Sequence, residues 1–169
     1  PLRDLLQSQH VPLIVTNVGA HVVRPYGQSP FLFRVSLNDW QASWATGAWA
    51  ANQLGKTAFV TRSFYESGYD SAHMFERGLE RAGGTVVGRY VTHQPRVTDS
   101  FTPMLAAVKQ ASPDLVYAAY SGPQALDFMR AYADADLAGR IPLVGSGFLF
   151  DESVLQQHGQ AALGSISGS

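Results

Sequence analysis

Short β-branched runs alternate with longer stretches whose apolar residues recur three and four apart, and this alternation predicts the elements of the chain. Leu2, Leu5 and Leu6 fall at helical spacing, and the run Val11-Pro-Leu-Ile-Val15 reads as a strand. A turn follows at Thr16-Asn-Val-Gly-Ala20, then a loop with Pro25, Gly27 and Pro30, then a second strand at Phe31-Leu-Phe-Arg-Val35. The next apolar stripe, Trp40, Trp44, Gly47, Ala48, Ala51 and Leu54, predicts a helix over 39–54 that Gly55 caps. Trp40, Trp44 and Trp49 are expected to pack rather than to form a ligand cage.

From residue 57 the alternation becomes regular. Strands are expected at 57–61, 85–91, 115–120 and 141–144, and helices at 70–82, 101–111, 124–135 and 152–157. The run at 115–120 is apolar almost throughout, as in a strand with both faces covered. Repetition of this kind implies right-handed βαβ units, so the expected fold class is α/β, a doubly wound parallel sheet of the Rossmann-like kind. With these four strands numbered in chain order, the expected spatial order is 2-1-3-4. Ligands of such sheets bind beyond the carboxyl ends of the strands where the order reverses.

Three loops meet at that place: Arg62-Ser-Phe-Tyr-Glu-Ser-Gly68, Ser121-Gly-Pro123 and Gly145-Ser-Gly-Phe148. They supply hydroxyls from Ser63, Tyr65, Ser67, Ser121 and Ser146 and aromatic faces from Phe64, Tyr65, Tyr120 and Phe148. Helices starting behind Gly68 and Pro123 would direct unpaired N–H groups at the same space, which favours a carboxylate or another small anion. Ordinary turn and capping duty is the alternative for the same Ser, Gly and Tyr residues.

Charge and composition narrow the chemistry. The 169 residues hold 12 Lys+Arg against 13 Asp+Glu, with the basic residues scattered singly, so no nucleic-acid partner is expected. Without cysteine there is no thiol nucleophile, thiolate metal site or disulfide. No apolar run approaches the ~20 residues needed to span a bilayer, and no membrane insertion is expected. A start at Pro1 and an end in Gly164-Ser-Ile-Ser-Gly-Ser169 lead us to expect a chain cut at both ends.

Catalytic patterns are missing. There is no phosphate-binding glycine loop, no H-E-x-x-H, and no ligand spacing among His10, His21, His73, His93 and His158. Gly164-Ser-Ile-Ser-Gly168 has Ile166 where a nucleophile elbow needs its serine. Glu66, Asp70, Asp99, Asp151 and Glu152 fall mostly at expected helix starts, where capping accounts for them. The chain is therefore expected to be no enzyme and to need no cofactor or metal.

Several motifs taken together carry a resemblance. Val11-Pro-Leu-Ile-Val-Thr-Asn-Val-Gly-Ala20, Phe31-Leu-Phe-Arg-Val-Ser-Leu-Asn-Asp-Trp40, Phe64-Tyr-Glu-Ser-Gly-Tyr-Asp70, Ala82-Gly-Gly-Thr-Val-Val-Gly88, Pro113-Asp-Leu-Val-Tyr117 and Pro142-Leu-Val-Gly-Ser-Gly-Phe148 follow one another in an order that resembles type I periplasmic solute-binding proteins. More narrowly, the chain resembles the branched-chain amino acid (Leu/Ile/Val) binding family of ABC importers. The resemblance implies two α/β lobes joined by three crossing segments, with a ligand held between them. On that plan 1–33 is a remnant of the first lobe, 34–38 a hinge crossing, 39–160 the second lobe, and 161–169 the start of the return crossing.

The resemblance also implies roles for single residues. Thr16, Asn17, Gly19 and Ala20 match the first-lobe loop that holds the ligand carboxylate, and Phe64, Tyr65 and Ser67 match the second-lobe loop that covers the ligand. Tyr120 and Ser121 match a further contact, while Gly147 and Phe148 stand where amino-acid binders place an acidic residue for the ammonium group. Either Glu66 or a segment beyond this chain supplies that charge, or the ligand is an aromatic or other organic acid. The implied partners are a small-molecule ligand and the permease subunits of an ABC transporter, in a periplasmic or otherwise extracytoplasmic location. A sensory ligand-binding domain and a small flavodoxin-like or Rossmann-like enzyme are the alternatives.

Overall fold

The computed structural model describes residues 2–16, 29–35, 39–93 and 100–168. Helix α1 (Leu2–Ser8) precedes two short strands, β1 (Leu13–Val15) and β2 (Leu32–Arg34), which pair in parallel with Leu13 opposite Leu32. Helix α2 (Asp39–Gln53) then opens the main body, which continues as β3 (Thr57–Ser63), α3 (Glu66–Arg81), β4 (Thr85–Thr92) and α4 (Thr102–Ala111). After these come β5 (Leu115–Ala119), α5 (Gly122–Asp134), β6 (Leu143–Ser146), a 3-10 turn (Gly147–Phe150), α6 (Glu152–His158) and β7 (Ile166–Gly168).

Strands β3 to β7 form one parallel sheet in the order β4-β3-β5-β6-β7. The 2-1-3-4 order expected from the sequence is present within it. The sheet is covered on both sides, as the side-chain alternation of β5 makes plain. Leu115, Tyr117 and Ala119 join Ala50, Phe75 and Leu79 of α2 and α3, whereas Val116 and Ala118 join Met104, Val108, Phe128 and Met129 of α4 and α5. At the amino end, Asp114 Oδ2 accepts hydrogen bonds from the backbone N–H groups of Lys56 and Thr57 and from the Thr57 hydroxyl, each at 2.8 Å. These bonds pin β3 to β5 and hold the carboxyl below the usual carboxylate range.

Several boundaries differ from expectation. Helix α3 begins at Glu66, four residues before the expected start at 70, so Ser67 and Gly68 lie in its first turn and not ahead of it. Helix α5 begins at Gly122, with Pro123 in the first turn where its missing N–H costs nothing. Strand β6 lies two residues later than 141–144, and Ile166–Gly168, expected as part of a crossing segment, pairs with β6 as a fifth strand.

The stripe of α2 also needs correction. Its buried residues are Ser43, Thr46, Gly47, Ala50 and Ala51, while Trp44 is 40% and Trp49 42% exposed. The cause is a close crossing with α3: a Cβ at Gly47 would run into the Phe75 carbonyl, and one at Gly78 into the Trp44 carbonyl. Backbones that near leave no room for an indole between them.

Candidate functional site

The carboxyl ends of β3, β5 and β6 converge on a small cleft at the point where strand order reverses. Ser63, the last residue of β3, and Ser146, the last of β6, form two walls. The first turns of α3, through Ser67, Gly68 and Ser71, and the Ala119-Tyr120-Ser121 segment close two more, and Phe148 of the 3-10 turn completes the lining. Gly68 is dictated by this crowding. A Cβ there would collide with the Ser63 hydroxyl and lie 3.3 Å from the Ala119 carbonyl oxygen.

Of the residues expected at the site, Ser67, Tyr120, Ser121 and Phe148 are brought together in this cleft. Gly147 sits beside it in the 3-10 turn, half-buried. Phe64 and Tyr65 stand at the adjoining rim, 54% and 45% exposed, with ring centroids 5.6 Å apart; His93 lies 5.9 Å from Phe64. Thr16 is exposed after β1 and does not line the cleft, and Asn17, Gly19 and Ala20 lie outside the described residues.

Tyr120 contributes differently from its neighbours. Its ring is buried against Phe101 and Phe128, and its hydroxyl bonds to Thr61 Oγ1 at 2.5 Å and Thr92 Oγ1 at 2.7 Å. Burial pushes this phenol up to about 12. The hydroxyl triad thus braces β3, β4 and β5 beneath the cleft floor. Gly68 belongs to a loop expected at the site, whereas Ser71 and Ala119 are lining residues that sequence reading missed. Ser71 was within reach, because it lies one helical turn from Ser67 and therefore on the same face.

The Phe148 turn is held from behind. His158 at the end of α6 is buried, its Nε2 is 2.8 Å from the Leu149 carbonyl, and a carbonyl accepts only, so Nε2 donates. Leu149 fills the core beside Tyr120 and Phe128, and Gly145 leaves space for Leu149 and Phe150 to fold back over the end of β6.

The whole chain, residues 1–169, matches the family model described as periplasmic binding protein. The chain belongs to that family. It is 32% identical over 168 residues to the Leu/Ile/Val-binding protein homolog 6 of Brucella melitensis, an alignment that takes in 98% of this chain and 42% of that protein. An ABC transporter substrate-binding protein from Sphaerobacter thermophilus superposes with a TM-score of 0.89 at 33% identity, covering 97% of this chain and 45% of that one. A solute-binding protein of an ABC transporter from R. palustris, in complex with benzoate, superposes with a TM-score of 0.83 at 32% identity, covering 95% and 43%. The chain therefore spans less than half the length of these relatives. A periplasmic or otherwise extracytoplasmic location is typical of periplasmic binding proteins, and likeness to non-catalytic transport proteins supports a non-enzymatic role.

As a periplasmic-binding-protein lobe, the cleft offers hydrogen bonds without formal charge. Among the described residues that line it, no side chain is ionic. The nearby Arg62 guanidinium turns aside, donating to the Ser63 carbonyl at 3.1 Å and lying 4.8 Å over the Tyr69 ring. Helices α3 and α5 both start at the cleft, after Tyr65 and Ser121, and neither has a side-chain cap among the described residues. Their first N–H groups and the serine hydroxyls make a donor-rich, neutral surface. Among the described residues no group of His, Asp and Glu is placed to hold a metal ion, and no helix is long and apolar enough to cross a membrane.

Proposed function

We propose that this chain is the greater part of one lobe of an ABC importer's solute-binding component, and that its ligand is a small aromatic carboxylate. Residues 39–160 form the lobe, 1–33 belong to the other lobe, and 34–38 and 161–169 cross between them. The lobes close over the ligand by hinge motion, and a membrane permease receives it. The turn 16–20 takes the carboxylate, and the ring lies against Phe148 and the rim aromatics Phe64 and Tyr65.

The observation that carries the ligand class is the uncharged lining. Ser146 and Phe148 occupy the loop that, on the resemblance, an amino-acid binder uses to pair the ammonium group, and among the described residues no lining side chain is acidic. An α-ammonium buried there without an anionic partner would cost several kcal/mol, roughly a hundredfold or more in affinity. The benzoate complex of the R. palustris relative supports the same reading. A branched-chain amino acid is the second reading, favoured by the name of the Brucella relative, with Glu66 as counter-ion. Calorimetric titration of the full-length protein with benzoate and with leucine tests the two. Saturable benzoate binding with leucine roughly a hundredfold weaker is expected, and the reverse order would reassign the ligand to an amino acid.

A further inference from the structure

Helix α2 carries two stripes of small and apolar residues where a surface helix ordinarily carries one. The inner stripe, Ser43, Thr46, Gly47, Ala50 and Ala51, is buried and packs toward α3 and the sheet. The outer stripe is Gln41, Trp44, Ala45, Ala48, Trp49 and Asn52, at the spacing of three and four that keeps to one face of a helix. Ala48 is half-buried and the other five are exposed. No Asp, Glu, Lys or Arg occurs from Trp40 to Gln53. An outward helix face with two half-exposed indoles and no charge has the character of a contact surface and not of a solvated one.

The order of residues in the stripe identifies what covers it. From the middle outward the stripe is the same in both directions: Ala45 and Ala48, then Trp44 and Trp49, then the amides Gln41 and Asn52. We propose that α2 is the face on which two copies of this protein associate about a two-fold axis, with the two helices antiparallel. Such an axis makes residue i of one copy meet residue j of the other, and j meet i, so a stripe that serves both copies must be self-complementary. Ala45 of each copy then meets Ala48 of the other and lets the helices approach closely, while Trp44 and Trp49 meet as aromatic pairs on either side. A different protein as partner would need no such symmetry. The missing charges fit as well, because a two-fold axis sets any charge beside it near its own equal. Two indoles 40% and 42% exposed offer roughly 160 Å² of aromatic surface per copy, against ~800 Å² per partner in a stable complex, so the pair is a reversible one.

Analytical ultracentrifugation of the full-length protein tests the association. Monomer is expected at about 1 µM and a growing dimer fraction toward about 100 µM. Ala45→Glu and Ala48→Lys each set an unpaired charge against the other copy and should each weaken association at least roughly tenfold. Both positions lie off the inner stripe and both incoming residues are good helix formers, so the fold is retained, which circular dichroism checks. In the double variant each new carboxylate faces the other copy's new ammonium, and association should recover. Monomer at every concentration overturns the proposal. A dimer that survives both single substitutions overturns it too, because the copies then meet elsewhere. Loss in the single variants without recovery in the double overturns the antiparallel two-fold arrangement.

Discussion

At the scale of single residues, Tyr120 joins the core to the site. Its ring belongs to the α4–α5 side of the sheet, its hydroxyl bonds Thr61 and Thr92, and the residue lines the cleft. The phenol is held at about 12 by burial, against about 10 when unfolded. A folded-state value raised above the unfolded one gives stability that is complete below pH ~10 and is lost as pH rises toward ~12. Tyr120→Phe is expected to cost about 1–2 kcal/mol at neutral pH by stranding the two threonine hydroxyls. The gap between the two proteins should narrow between pH ~10 and ~12, where only the unsubstituted protein loses this contribution. Tyr132, also raised by burial, titrates alike in both and cancels in the difference. Urea denaturation at a series of pH values measures the gap, and a constant gap would show that the hydroxyl is not held neutral by the fold.

At the scale of elements, much of the body was legible before any coordinates. The strand order 2-1-3-4 follows from βαβ handedness and short connections, and the all-apolar β5 announced a sheet covered on both faces. What escaped was set by partners distant in sequence. Strand β7 is three residues of Ile-Ser-Gly that acquire strand character only from the edge of β6. The early start of α3 was hidden by Ser67-Gly68, which look like a loop until Ser63 and the Ala119 carbonyl are seen to demand a glycine there. The outward tryptophans of α2 have the same kind of origin. Trp44 and Trp49 match the apolar period, yet the α2–α3 contact is made through glycine backbones. In the site, chain order located the loops, but the fourth-residue spacing from Ser67 to Ser71 mattered only once those residues proved helical. The crossing yields its own prediction. Gly78→Ala drives a Cβ into the Trp44 carbonyl and should destabilise the protein by about 1–3 kcal/mol, whereas Ala48→Gly, which adds no atom to the same contact, should cost no more than about 1 kcal/mol. Thermal unfolding compares them, and equal losses would mean that helix propensity, not the close approach, sets the cost.

At the scale of the whole molecule, this lobe has a core covered on both faces, and under the proposed function it carries half of a binding site. The sheet is buried on both faces by its own helices, so the lobe is expected to fold without the rest of the protein. Sites for small molecules typically enclose most of the ligand in ~300–1,000 Å³, and the space within this cleft is about 10 Å³, roughly that of one water molecule. A space of that size holds no more than one atom at the edge of the proposed ligand, so on that proposal the remaining ring surface is covered elsewhere. Phe64 and Tyr65, half-exposed, are the aromatic faces that the proposed function assigns to one side of that ring. Covering a further ~100 Å² of ring at ~25 cal/mol per Å² adds about 2.5 kcal/mol, nearly two orders of magnitude in affinity, before the carboxylate contacts of the other lobe are counted. The 169-residue chain, confirmed folded by circular dichroism, should therefore bind benzoate at least roughly a hundredfold more weakly than the full-length protein. Equal affinities in parallel calorimetric titrations would place the entire site within this lobe and remove the need for closure; a large loss with the fold intact makes the second lobe an obligate half of the site.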